Sequence, residues 1–224
     1  MKIVAIGGGK IRNWNFERWN TSQKKYETEK IDKEIVKLAE KENPNMLFIG
    51  TAKADNLIYF QAMKDIYTNL GCNVTMLETY EYEKMRETIL KADIIYIGGG
   101  STRILMAQWK KYNVYDVIAE AARKNIVIAG YSAGAYVLFL YNYLWQDGIG
   151  LLPYIGCVHY DKKIQEKKDK FYGIMKFKQI PGIALENRTA LLVTDERFEL
   201  VRETEEKGYY IEYIGDEYIV KEIK

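Results

Sequence analysis

Ser132 stands in the run Gly130-Tyr131-Ser132-Ala133-Gly134, with the apolar residues Ile126, Val127, Ile128 and Ala129 before it and an Ala-, Tyr- and Leu-rich segment after it. The run predicts a strand, a sharp turn and a helix. A serine at such a turn has its hydroxyl thrust away from the backbone, with the next residue's N–H and the helix start facing an incoming oxyanion. The same small residues suit any strand that must turn abruptly, so the pentapeptide leaves both readings open. A serine hydroxyl is a poor nucleophile until a base takes its proton, and histidine is the usual base near neutral pH. The chain has one histidine, His159, in Ile155-Gly156-Cys157-Val158-His159-Tyr160-Asp161, which reads as the end of another short strand. Two strand ends on one sheet edge can bring the two side chains together. A carboxylate would then fix the imidazole tautomer. Asp147, in the loop between them, is the first choice; Asp161 and Glu186 are rivals that also read as ordinary turn or surface acids.

Two glycine clusters bear on the same chemistry. Gly98-Gly99-Gly100 lies between an apolar strand and a helix, where backbone amides can approach a substrate closely. The amide of Gly99 with that of Ala133 would form an oxyanion hole. Gly7-Gly8-Gly9 follows the first strand in a similar way. It lacks the G-x-G-x-x-G spacing of a dinucleotide loop, since position 12 is Arg12, and no acidic residue plainly ends the second strand. No nucleotide or other cofactor is expected.

Alternating elements must position these groups. Apolar runs over residues 2–7 and at "MLFIGTA", "NVTMLETY", "DIIYIGGG" and "IVIAGYS" predict five strands. Between them lie helical patterns, the first with Ile31, Ile35 and Leu38 on one face and closed by Pro44. Near-continuous apolar strands separated by helices predict an α/β fold: a three-layer sandwich with a mainly parallel central sheet. Ser132 then falls at a strand's carboxyl end, the edge where open α/β sheets bind ligands. After about residue 145 a charged helical segment and short β-like runs finish the same domain, so residues 1–224 read as one domain. The run Lys162-Lys163-Ile164-Gln165-Glu166-Lys167-Lys168-Asp169-Lys170 reads as a solvated helix face.

Composition narrows the partners. Lys plus Arg number 33 against 31 Asp plus Glu, a net charge of +2 that shows no bias toward nucleic acid. No apolar stretch approaches the roughly 18 residues that span a bilayer. Cys72 and Cys157 lack metal-ligand spacing, no metal site is expected, and the start of the chain has no signal-peptide pattern, which together predict a reduced, cytoplasmic protein. A homo-oligomer is compatible with the sequence.

The ordered motifs "GGGK", "NPNMLFIGTAKAD", "ADIIYIGGGSTRIL", "AGYSAGA" and "GLLPYIGCVHYD" resemble the peptidase E family of serine peptidases, which includes aspartyl dipeptidases and cyanophycinases. The likeness runs over about residues 1 to 195. It implies a class I glutamine amidotransferase-like fold with serine in place of cysteine, the nucleophile at Ser132, the base at His159, an aspartate at Asp147 and an acidic residue near the site at Glu186. Three departures stand out. Ser101 replaces an Asn of the glycine loop, Val158 replaces a proline before the histidine, and an arginine beyond "HYD" has only lysines to match it (Lys162, Lys163, Lys167, Lys168). Lysine does not grip a carboxylate as arginine does. The resemblance implies hydrolysis of small peptides, with dipeptides carrying an acidic N-terminal residue as the finer expectation. Two other readings stay open: an α/β-hydrolase esterase, whose histidine would normally follow much later, and a non-catalytic member of the same fold that binds a small acidic ligand or a partner protein.

Overall fold

The computed structural model of the chain describes residues 1–10, 27–161, 163–215 and 217–224; Arg12 and Lys162 lie outside them. Five strands, β1 (Lys2–Ile6), β2 (Asn45–Ile49), β3 (Asn73–Met76), β4 (Ile94–Ile97) and β5 (Val127–Tyr131), run parallel in the order β1-β5-β4-β2-β3. Their side chains alternate between two covered faces, which is why the strands read as continuous apolar runs. Val4, Ile6, Phe48 and Tyr96 pack on α1 (Glu29–Leu38) and α2 (Leu57–Asn69). Ile3, Ala5, Leu47 and Ile95 face the opposite way, toward α3 (Tyr82–Leu90), α4 (Thr102–Lys111) and α5 (Val114–Arg123). This is the mainly parallel α/β sandwich that the alternation predicts.

The segment after Ser132 departs from expectation. Its helix, α6, is only Ala133–Tyr136, and the chain re-enters a strand at β6 (Phe139–Asn142). Phe139, Leu140 and Tyr141 prefer a pleated surface, and β6 finds one beside β7 (Leu152–Val158), with which it pairs in parallel. A second sheet of five strands results, in the order β12-β11-β8-β7-β6, with β8 (Gly182–Leu185), β11 (Gly208–Ile214) and β12 (Glu217–Glu222). The remaining strands, β9 (Thr189–Val193) and β10 (Phe198–Arg202), join the first sheet antiparallel, β9 directly beside β1. The C-terminal strands therefore divide between two sheets, a division the sequence pattern does not reveal. One buried cluster runs from Ile3 and Ile128 through Ala133 and Val137 to Leu152, Val158 and Leu185, which joins the sheets into one core. The outer face of the second sheet is covered by α7 (Gln165–Lys178) through Phe171, Ile174 and Met175. Among the described residues no helix is long and apolar enough to cross a membrane.

Among the described residues, one carboxyl group is wholly inside. Asp32, on α1, accepts hydrogen bonds from the Tyr67 hydroxyl at 2.6 Å and the Thr28 hydroxyl at 2.8 Å. Burial raises its pKa from 3.8 to about 7, against the two hydrogen bonds. Across that window the folded chain holds a proton that the unfolded chain releases, so stability falls as pH rises from about 4 to about 7 and the deficit persists above. Asp32→Asn, which keeps an acceptor without the charge, is expected to raise the melting temperature more at about pH 8 than at about pH 4. Thermal unfolding at both pH values checks this; equal shifts would contradict it.

Candidate active site

Gly130 and Gly134 must be small for the elbow at Ser132 to form. A Cβ on Gly130 would lie 2.3 Å from the Gly134 carbonyl oxygen, and one on Gly134 would lie 2.1 Å from that of Ile97. Ser132 itself has φ 53° and ψ −106°, a conformation L residues adopt only when the surroundings impose it. Its N–H donates to the Ile6 carbonyl at 3.1 Å, which ties the elbow to the end of β1.

His159 follows β7 with φ 51°. Its N–H donates to the Gly7 carbonyl at 2.8 Å, one residue along from the Ser132 anchor. The ring then reaches the elbow: Ser132 Oγ and His159 Nε2 are 2.7 Å apart. The other ring nitrogen, Nδ1, is 2.5 Å from Asn187 Oδ1. With an amide oxygen as its partner, Nδ1 carries the proton, so Nε2 is left as the acceptor for the serine hydroxyl. Asn187 lies just beyond β8, which pairs in parallel with β7 so that Val158 stands opposite Leu185. The next amide, that of Arg188, donates to the Gly8 carbonyl at 2.8 Å.

The side chain that meets Nδ1 is thus an amide, where the sequence predicts a carboxylate. Asp147 is exposed in the β6–β7 loop, bridged to Tyr141, with its charge near the Tyr115 hydroxyl of α5. Glu186 turns to β11, accepting from the Lys207 N–H at 3.0 Å and the Tyr209 hydroxyl at 3.3 Å. Strand alternation explains the exchange, because consecutive residues leaving β8 point to opposite sides. Asp161 accepts from the Lys163 N–H at 2.9 Å, as a turn acid does. Asn187 escaped the sequence reading because a search for orienting groups looks for acids; its position beside Glu186 was the available signal.

The glycine loops also change roles. Gly99 was the expected oxyanion donor, but its N–H donates to the buried Tyr59 hydroxyl at 3.1 Å. Gly98 and Ser101 donate to the carbonyls of Ile49 and Ala52 at 2.9 and 2.7 Å. Among the described residues, the Gly100 N–H is the one amide of this run without an acceptor. Ala133, first in α6, has an N–H that no carbonyl of the helix can meet. With four residues, α6 contributes little macrodipole, so what the elbow offers an anion is individual N–H groups rather than a helix field. Ser101 caps α4 through the Ile104 N–H at 3.3 Å. Gly8, at φ 133°, gives the imidazole its space: a Cβ there would lie 2.2 Å from His159 Cε1 and 2.4 Å from Asn187 Oδ1.

Electrostatics favour a neutral ring. Burial lowers the pKa of His159 below its ordinary 6.5, the Asn187 bond works against that shift, and the nearby Lys167 ammonium adds to it. Among the described residues no cluster of His, Cys, Asp and Glu is suited to hold a metal ion.

The sequence model of peptidase family S51 matches residues 20–201. The chain belongs to that family. An S51 assignment makes the protein a serine-type peptidase, within the peptidase E group. An uncharacterized peptidase of Bacillus subtilis is 27% identical over 211 residues, covering 89% of this chain and 86% of its own. Peptidase E of Haemophilus influenzae is 33% identical over 79 residues, a match spanning 35% of either chain. Among solved structures, a peptidase from an acI-B1 actinobacterium superposes with a TM-score of 0.70 at 18% identity, covering 97% of this chain and 93% of its own. A peptidase E candidate from Listeria monocytogenes gives a TM-score of 0.66 at 17% identity, covering 90% and 98%. These two likenesses establish the fold.

Gly8→Ala is expected to displace the imidazole and lower the labelling rate of Ser132 by a serine-directed phosphonate by about a hundredfold. Intact-protein mass spectrometry over time, with circular dichroism as the check on folding, decides it. Unchanged labelling in a folded variant would remove the role given to Gly8.

Proposed function

We propose that this S51 peptidase hydrolyses short peptides through a Ser132–His159–Asn187 relay. The observation that carries the proposal is the 2.7 Å contact between Ser132 Oγ and a ring nitrogen whose opposite side is held by Asn187. Ser132 Oγ attacks the peptide carbonyl as its proton passes to His159 Nε2. The N–H groups of Gly100 and Ala133 receive the oxyanion. The imidazolium then gives its proton to the departing amine, leaving an acyl-serine. A water, deprotonated by the same nitrogen, releases the acid and restores the serine. Asn187 fixes the tautomer as an aspartate would but brings no charge to the imidazolium, an arrangement also used by cysteine peptidases with a Cys-His-Asn set.

The finer expectation, dipeptides with an acidic N-terminal residue, draws less support from this site. Lys167, one of the cations standing where relatives carry arginine, directs its ammonium at the carbonyls of Val158 and His159, at 2.7 and 2.8 Å. The reading favoured here is a short-peptide hydrolase without acidic selectivity, and Asp-X dipeptides are expected to be cleaved no faster than Ala-X. The two cysteines are free and buried, and burial raises Cys72 to about 11 and Cys157 to about 12, which keeps both as thiols. That state suits a reducing compartment, and the cytoplasm is the location proposed.

Treatment with a small serine phosphonate followed by mass spectrometry tests the mechanism. One adduct on Ser132 that disappears in His159→Ala supports it; no adduct on the wild type would overturn it. Ser132→Ala and His159→Ala should each lower kcat by about a thousandfold or more, because the members act as a unit. Asn187→Ala should cost more than Asp147→Asn or Glu186→Gln, and the reverse order would return the orienting role to an acid. Activity should be present while His159 is neutral and be lost as pH falls through its depressed pKa, so the acid limb of kcat/KM is expected below 6.5. A limb above that value would contradict a buried, neutral base.

A further inference from the structure

Lys167 is in the first turn of α7, where a cation opposes the helix dipole. Its surroundings show what holds it there. The half-buried ammonium donates to the carbonyl oxygens of Val158 and His159 at 2.7 and 2.8 Å and lies 5.1 Å from the centre of the Tyr143 ring. Among the described residues, no carboxylate forms an ion pair with it: Glu166 is engaged by Lys170 at 2.7 Å, and Asp161 accepts from the Lys163 backbone. Lys167 therefore brings to the backbone of the proposed base a positive charge that no close ion pair cancels, with the Asp161 carboxylate acting on it only through longer-range attraction. Its two acceptors are the carbonyls on either side of the His159 N–H that is bound to Gly7, so the ammonium and the glycine loop grip the same left-handed turn.

We propose that Lys167 is a positioning residue for the hydrolytic reaction, holding the His159 turn in register with Ser132 and, through its charge, keeping the imidazole unprotonated. This rests on the Ser132–His159–Asn187 reading. Among the described residues, the groups against the ring are Ser132 from the elbow, Asn187 from the β8–β9 turn and Gly8 from the first glycine loop, and the Lys167 ammonium on α7 acts on it through charge from the backbone beside it. Ser132, Asn187 and Gly8 are uncharged, so the cation is the electrostatic influence that a substitution can remove without touching the relay. In the partly desolvated environment of the turn, its effect is screened less than at an exposed surface. The lowered pKa of the ring agrees in direction, with burial as the larger cause.

Because His159 is the chain's one histidine, its titration can be followed by NMR of the imidazole without turnover. Lys167→Gln retains a hydrogen-bond donor without charge, Lys167→Met retains neither, and Lys167→Arg retains both. The imidazole midpoint should shift upward in Gln and Met and stay near wild type in Arg. The acid limb of kcat/KM should move with it, and kcat on the plateau should fall about tenfold to a hundredfold in Met, with smaller losses in Gln and Arg. An unshifted midpoint in folded Gln and Met variants would overturn the charge role, and an unchanged plateau kcat in Met would overturn the positioning role. Failure of the wild type to hydrolyse any short peptide would sink the peptidase mechanism, while the NMR midpoints would still decide whether Lys167 governs the ring.

Discussion

Three successive carbonyls at the exit of β1 hold the site together. Ile6, Gly7 and Gly8 accept, in order, the N–H groups of Ser132, His159 and Arg188, at 3.1, 2.8 and 2.8 Å. Each donor belongs to a different strand exit, so three distant stretches of chain are indexed against one short segment. The close approach explains the glycines. A Cβ on Gly7 would lie 2.2 Å from the Glu186 carbonyl oxygen, and one on Gly8 would occupy the imidazole's place. A motif whose spacing speaks against a dinucleotide loop is the point where Ser132, His159 and the turn carrying Asn187 converge.

All three donors come from residues with positive φ: Ser132 at 53°, His159 at 51° and Arg188 at 63°. Non-glycine residues in that region cost of order 1 to 3 kcal/mol each, and they persist where surrounding bonds over-determine them. Here each backbone N–H has a fixed acceptor and each turn is followed by a packed element. Strain at the turns is offset by the core that runs between the two sheets. The consequence for chemistry is placement: a hydroxyl, an imidazole and an amide arrive in line without a long flexible arm.

Much of this was legible in the residues, for physical reasons. Buried parallel strands leave near-continuous apolar runs, a serine elbow needs small neighbours at fixed positions, and a single imidazole leaves no competitor for the base. Other parts depend on contacts that spacing does not encode. The availability of the Gly99 amide is decided by Tyr59, on a helix far back in the chain. The shortness of α6 is decided by β7, which gives Phe139 and Tyr141 a strand to pair with. Asn187 was hidden by chemistry rather than by distance, since an amide can fix a tautomer without the charge that marks a candidate in a sequence. Glu186, the acid that the sequence offers in this segment, turns to β11, and the side chain that faces the ring is its neighbour Asn187.

The antiparallel insertion of β9 beside β1 has a bearing on synthesis. The parallel strands and the elbow are complete once residue 132 has been made, yet the turn that supplies Asn187 is fixed only when β9 (Thr189–Val193) pairs back with β1 (Lys2–Ile6), across most of the sequence. Pairing of such separation is slow to form, because loop-closure entropy must be met before the contacts compensate. A nascent chain emerging from the ribosome therefore carries a serine with no oriented base. On the proposed relay, the hydroxyl and the imidazole gain their third partner only when β9 is in place, so the order of synthesis sets the order in which the site is assembled.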